Sequence, residues 1–252
     1  MSASEPAPWW RPFQSVGTAT VFHVDLRPHA VREDAALVWL DEGEVARWSR
    51  YQFDAPRRQF SLCRAALRAL LCERLGCRND DLAFQHSKHG KPSAVLRDQP
   101  APIGFNVSHS GDHGLIAYAP AGRIGVDVQE RVDHRRLELL MKGMLSDEER
   151  AELARTGGAA RLRLFFDLWT IKEALIKADG TGLALDASRF TIPPAISHGM
   201  TGGTLALPQA PGVEWRVASL GGERFAAAVA HEVLAGPEPT PRPEPARSVL
   251  SV

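Results

Sequence analysis

The chain has 252 residues, 44% of them hydrophobic, and its 30 Lys plus Arg are matched by 30 Asp plus Glu. That length and apolar content support a sizeable core in one or two domains. Zero formal net charge excludes a general nucleic-acid binder, which needs a surplus of positive charge.

The opening residues MSASEPAPWWRPF lack the basic start and apolar run of a secretory signal. No apolar run approaches the roughly 20 residues that span a bilayer. A cytoplasmic chain with no membrane segment is expected. Cys63, Cys72 and Cys77 are an odd set without CxxC spacing, which argues against a disulfide framework or a zinc knuckle. Cys63 and Cys72 read as small buried hydrophobes.

In chain order, residues 1–17 read as a loose arm rich in proline and aromatics, and 18–26 as a strand. Residues 31–52 have helical spacing. A longer helix follows over 57–75. Phe60, Cys63, Leu67, Leu70, Leu71 and Leu75 lie near one of its faces, Arg57, Ser61, Arg64 and Arg68 on another, and Gly76 is its stop signal. Residues 80–104, with prolines at 92, 100 and 102, read as loop-rich. Strands are expected at 105–109, 115–119 and 124–128. Ser146 with Glu149 forms a helix-start pattern. The clearest helix runs over 161–179 with Leu164, Leu168, Ile171 and Leu175 as its apolar stripe and Gly180 at its end. Residues 188–231 read as short strands and turns, and the proline-rich stretch from Gly236 as a disordered tail. This mixed order predicts an α+β fold.

Four groups of residues can carry chemistry. In the strand 124–128, Ile124, Val126 and Val128 share one face, and Asp127 shares the other with Gln129. A carboxylate on a rigid strand suits a hard cation such as Mg²⁺; the bland reading is a solvated acid. Trp169, Glu173 and Lys177 are spaced by four and share a helix face. They read either as a surface ion pair beside a tryptophan or as a carboxylate for a metal next to an ammonium for a phosphate. In Asn106–Gly111, Ser108 and His109 point to opposite faces of a strand, which does not suit a hydrolase nucleophile and base. Phosphate donors are the better functional reading. His109 and His113 have no third ligand nearby, which disfavours zinc. The basic residues Arg57, Arg58, Arg64, Arg68, Lys88 and Lys91 suit phosphate or a solvated surface. Gly90-Lys91-Pro92 lacks the rest of a P-loop.

The blocks GKP (90–92), FNVSHS (105–110), GVDV (125–128) and FFDLWTIKEALIKADGTGL (165–183), in this order and spacing, resemble the Sfp-type 4′-phosphopantetheinyl transferases. The last block is the most specific. The motifs cover 90–183, and a weaker resemblance extends over about 45–232. The resemblance implies two similar α/β halves related by a pseudo-twofold axis, each a small antiparallel sheet on a long helix, with coenzyme A in the cleft between them. The halves would be 1–122 and 123–235, followed by a tail over 236–252. It also implies a Mg²⁺-dependent transfer of the phosphopantetheine arm of coenzyme A to a serine of acyl- or peptidyl-carrier domains.

Carried onto this chain, the resemblance makes Asp127 and Glu173 metal ligands and Lys177 a phosphate partner. Lys91, Pro92, Ser108 and His109 would lie at the phosphates or nucleotide, with an arginine of the 57–64 region (Arg57, Arg58 or Arg64) at the 3′-phosphate. Trp169 would shape the cleft. Many relatives have a second acid where this chain has Gln129, so Gln129 or water is expected to complete the metal sphere. Leu137, Leu139, Leu140, Met141 and Met144 read as a carrier-docking patch or as core. A monomer is expected, with no nucleic-acid or membrane partner. A non-catalytic coenzyme A binder and a Mg²⁺ phosphodiesterase are the competing readings.

Overall fold

The computed structural model describes residues 8–132, 137–198 and 202–234; the expected tail lies outside them. Strand β1 (Trp10–Val16) pairs antiparallel with β2 (Ala19–Asp25). Residues 10–16 are thus a strand and not part of a loose arm. Pro12 hides the pattern. It sits where the register shifts, on an edge strand, where a missing N–H is tolerated.

The 31–52 stretch divides into helices α1 (Ala30–Leu37) and α2 (Glu42–Trp48). Asp41 caps α2, and the Glu44 side chain accepts from the Asp41 N–H in return. Helix α3 (Asp54–Leu75) buries its apolar face and ends at Gly76, whose φ of 64° is the left-handed conformation that terminates helices.

The expected loop at 80–104 is instead largely a small sheet of β3 (Leu82–His86), β4 (Pro92–Leu96) and β5 (Gln99–Pro100). Its prolines sit at strand ends, where they cost little, and Arg97 and Asp98, both at positive φ, make the tight turn from β4 to β5. Next come β6 (Gly104–Ser110), β7 (His113–Ala119) and β8 (Ile124–Glu130). Helices α4 (Leu137–Met144), α5 (Asp147–Arg155), α6 (Gly158–Asp179) and α7 (Pro194–Ser197) follow. Strands β9 (Gly203–Ala206), β10 (Glu214–Ser219) and β11 (Phe225–Glu232) complete the described chain.

The fold is α+β, as expected. Two four-stranded antiparallel sheets form, in the orders β1-β2-β7-β6 and β8-β11-β10-β9. Each carries a 22-residue helix, α3 on the first and α6 on the second. Alternation along the strands divides the core accordingly. Val24 and Ile116 pack with α3, and Ala226, Ala228 and Ala230 pack with α6. Val21, Leu115, Val126, Val128 and Val229 form a third apolar layer in which residues of both sheets meet.

The edge strands β6 and β8 also meet, through side chains. Asn106 Oδ1, Ser108 Oγ and Ser110 Oγ accept the backbone N–H groups of Val126, Val128 and Glu130 at 2.9, 3.3 and 3.1 Å. Residues two apart on one strand thus satisfy N–H groups two apart on the next, and two open sheet edges cover each other. Among the described residues, no helix is long and apolar enough to cross a membrane.

Candidate active site

Strand β8 must lie almost on helix α6 to deliver Asp127 to it. Gly125 makes that possible: a Cβ there would come within 2.1 Å of the Ala174 carbonyl oxygen. Two residues on, the side of the strand facing α6 carries Asp127, which is 1% exposed, while Val126 and Val128 face the shared apolar layer.

Asp127 Oδ1 accepts from Lys177 Nζ at 2.6 Å and from Ser108 Oγ at 2.8 Å, and Lys177 also donates to Ser108 Oγ at 3.0 Å. Ser108 arrives from the first sheet, Asp127 from the second, and Lys177 from α6. Gln129 Nε2 lies 3.3 Å from Asp127 Oδ2, so its amide nitrogen meets the acid.

Glu173, one turn before Lys177, lies on the wall of a cleft of about 590 Å³. Desolvation, and then the charge of Asp127, hold its carboxyl above the usual range, and Lys177 opposes them. Lys177, Asn106, Lys91 and Pro92 line the same cleft. Leu185, Asp186 and Ala187 also line it.

Lys91 spans the two halves. Its ammonium donates to the carbonyls of Ile124 at 3.1 Å and Ala178 at 2.8 Å. The second of these lies in the last turn of α6, where a cation is favoured. Burial, then the charge of Arg123, lower its pKa to about 8. His109 points away from Ser108 and is exposed. Local desolvation and the nearby Lys177 ammonium hold its pKa below the ordinary value.

The arginines are engaged elsewhere. Arg57 donates to the Tyr51 carbonyl at 2.7 Å and lies over Trp48, and Arg58 donates to the Leu26 carbonyl at 2.8 Å. Arg64 pairs with Glu44 at 3.4 Å over the Phe84 ring. Arg68, 1% exposed, binds Glu44, Asp41 and the Leu82 carbonyl, so this part of the stripe is neither solvated nor free for phosphate. None of these four is among the residues lining the cleft.

Trp169 packs on the core of the second half, edge-to-face with Phe165. In the expected docking patch, Met141 is core, Leu140 and Met144 pack against the core, and Leu139 is 66% exposed. The Leu137 side chain lies outside the described residues.

Sequence reasoning assigned no role to Asn106, Ser110 or Gly125. The signal was present in the alternation of small polar residues at 106, 108 and 110. What it lacked was the identity of the strand they face. Among the described residues, no group of three or more His, Cys, Asp and Glu converges on a common point. Glu173 on the cleft wall and the buried Asp127, close enough for its charge to raise it, still fit a hard cation as a pair of carboxylates. Mg²⁺ takes one or two carboxylates and completes its sphere with waters and substrate phosphate.

Comparison with known proteins identifies the family. Residues 123–230 match the family model of the 4′-phosphopantetheinyl transferase superfamily, and residues 26–121 match that of the 4′-phosphopantetheinyl transferase N-terminal region. A putative 4′-phosphopantetheinyl transferase of Synechocystis sp. is 39% identical over 145 residues, which is 58% of either chain. The 4′-phosphopantetheinyl transferase HetI of Nostoc sp. is 34% identical over 160 residues, 63% of this chain and 66% of its own. An L-aminoadipate-semialdehyde dehydrogenase-phosphopantetheinyl transferase of Mus musculus is 26% identical over 162 residues, 60% of this chain and 52% of its own. These alignments span under two thirds of each relative's length. With one model matched on each side of residue 122, both on chains of the same kind, this chain belongs to the 4′-phosphopantetheinyl transferase superfamily.

Proposed function

We propose that this chain transfers the 4′-phosphopantetheine arm of coenzyme A to a serine hydroxyl of acyl- or peptidyl-carrier domains and releases 3′,5′-ADP. The observation that carries the reading is the junction of Asp127, Lys177 and Ser108 beside Glu173, next to a cleft lined by Asn106 of β6, by Lys91 and Pro92, and by α6. A single chain completes that cleft, which supports action as a monomer. The Sfp type is supported by the order of motifs over 90–183, and the reaction's chemistry supports a cytoplasmic setting.

Asp127 and Glu173 would hold Mg²⁺, with the Gln129 amide beside them. When bound, the ion supplies charge neutralisation on the pyrophosphate oxygens. The rest falls to the chain's own side chains. Glu173, raised toward neutrality by its surroundings, accepts the proton of the carrier serine, directly or through water. The serine oxygen attacks the β-phosphate, and its bond to the departing 3′,5′-ADP breaks. Lys177 stabilises negative charge growing on the phosphate oxygens. Lys91, Pro92 and His109 stay assigned to the phosphate or nucleotide end. An arginine at the 3′-phosphate would have to leave the contacts it makes here.

Intact-mass spectrometry of an unmodified carrier domain, incubated with the enzyme, coenzyme A and Mg²⁺, tests the proposal. A gain of one phosphopantetheine arm, abolished by EDTA, is expected. Consumption of coenzyme A with the carrier unmodified would replace the transferase reading with a hydrolytic one.

A further inference from the structure

The Ser108 hydroxyl has one proton and three neighbours. Lys177 Nζ at 3.0 Å and the Val128 N–H at 3.3 Å can only donate to it. Asp127 Oδ1 at 2.8 Å can only accept while ionised, so the proton points there. Ser108 is 6% exposed, Asp127 is 1% exposed, and Ser108 is not among the residues lining the cleft. Its single donor is therefore spent inside the protein, not on a phosphate.

We infer that Ser108 is a positioning residue through which the first half of the molecule sets the Asp127 carboxylate and the Lys177 ammonium of the second. This deepens the proposed function and rests on it. The hydroxyl fixes Oδ1, one of the two carboxylate oxygens, and leaves Oδ2 to face Gln129. By accepting from Lys177 it also ties that ammonium to the same point. The neighbours Asn106 and Ser110 hold β8 on either side of Val128, so loss of the one hydroxyl leaves the seam joined and the Asp127–Lys177 pair without its anchor on the first half.

The test compares Ser108→Ala and Ser108→Thr with the wild type in two ways: steady-state transfer kinetics, and calorimetric titration of Mg²⁺ into the full chain without carrier. A group orienting a ligand from behind is worth about 10- to 100-fold. Ser108→Ala is expected to lower kcat by that factor with KM for coenzyme A changed less than about twofold, and to weaken Mg²⁺ binding by a similar factor. Ser108→Thr, which keeps the hydroxyl, restores most of both. A raised KM for coenzyme A with kcat and Mg²⁺ affinity unchanged would make Ser108 a phosphate contact and overturn the inference. If the wild type modifies no carrier, the transferase reading fails separately. The titration then decides alone: equal Mg²⁺ affinity in Ser108→Ala and wild type rejects the positioning role.

Discussion

Lys172 and Glu149 meet at 2.6 Å with side chains 0% and 2% exposed, an ion pair closed off from water inside the second half. The Lys172 ammonium also donates to the carbonyls of Ala187 and Phe190, each at 2.8 Å. Glu149 in turn accepts from the N–H groups of Ser146 and Ile192. The pair fastens α5 and the 187–192 segment to α6, and Ala187 of that segment lines the cleft. The two adjacent residues of the Lys172-Glu173 motif thus face different ways, one into the core and one to the cleft.

Breaking the pair from one side strands a buried charge. Lys172→Met is expected to cost about 3–5 kcal/mol in urea unfolding. Adding Glu149→Gln removes the stranded charge and keeps an oxygen for the two N–H groups, so the double variant should recover more than half of that loss. Equal stability of the single and double variants would show that the pair is not coupled.

Glu173→Gln keeps the shape of the side chain and removes the base. A loss of about 100-fold or more in kcat, with folding unchanged by circular dichroism, is expected. A base works when deprotonated, and the Glu173 carboxyl is raised. Wild-type kcat should fall on the acid side as this base is protonated, and the residual rate of the variant should lack that limb. Near-normal turnover of the variant would remove Glu173 from the role.

Acid should loosen the joint between the sheets. His23 is 8% exposed, with Nε2 2.9 Å from His113 Nδ1, and Phe225 of the second sheet stacks on it. Burial, then the charges of His113 and Arg11, lower its pKa to about 4; Asp25 pulls the other way, and Arg224 adds to the lowering. The unfolded chain binds this proton near pH 6.5 and the folded chain does not, so stability falls as pH drops from about 6.5 to about 4. His23→Gln should flatten Tm against pH across that window. An unchanged slope would assign the acid sensitivity to other groups.

Gly125→Ala tests the close approach of β8 to α6. The new Cβ would clash with backbone at Ala174 and Ala178, which cannot move like a flexible side chain. Destabilisation of about 1–3 kcal/mol is expected. If the strand is pushed off the helix, kcat should also fall at temperatures where the variant is fully folded. Loss of stability with intact kcat would show that α6 follows the strand.

The long helices and the acid-bearing strand were legible because they depend on local periodicity and on end signals such as Gly76 and Gly180. Strand β1 and the small sheet were not legible, since their prolines sit at strand ends, edges and irregularities where the usual penalty vanishes. At the site, Glu173 and Lys177 could be placed on one face from spacing alone. The fate of the arginine stripe could not. Whether Arg64 and Arg68 serve a phosphate or an internal carboxylate depends on Glu44, which lies on another helix. The direction of the Ser108 proton was equally out of reach, because two of its three neighbours come from β8, brought there only by the tertiary fold.

The bonds that Asn106, Ser108 and Ser110 make to β8 are addressed from one side only: any residue on β8 except proline offers the same N–H, but only particular residues on β6 offer the acceptor. Recombining the first half of one relative with the second half of another should therefore place no demand on β8 from these bonds themselves, beyond Gly125 and Asp127, which α6 and the site require. It should be strict about three positions on β6, which makes that short stretch the natural unit to carry across when building chimaeras.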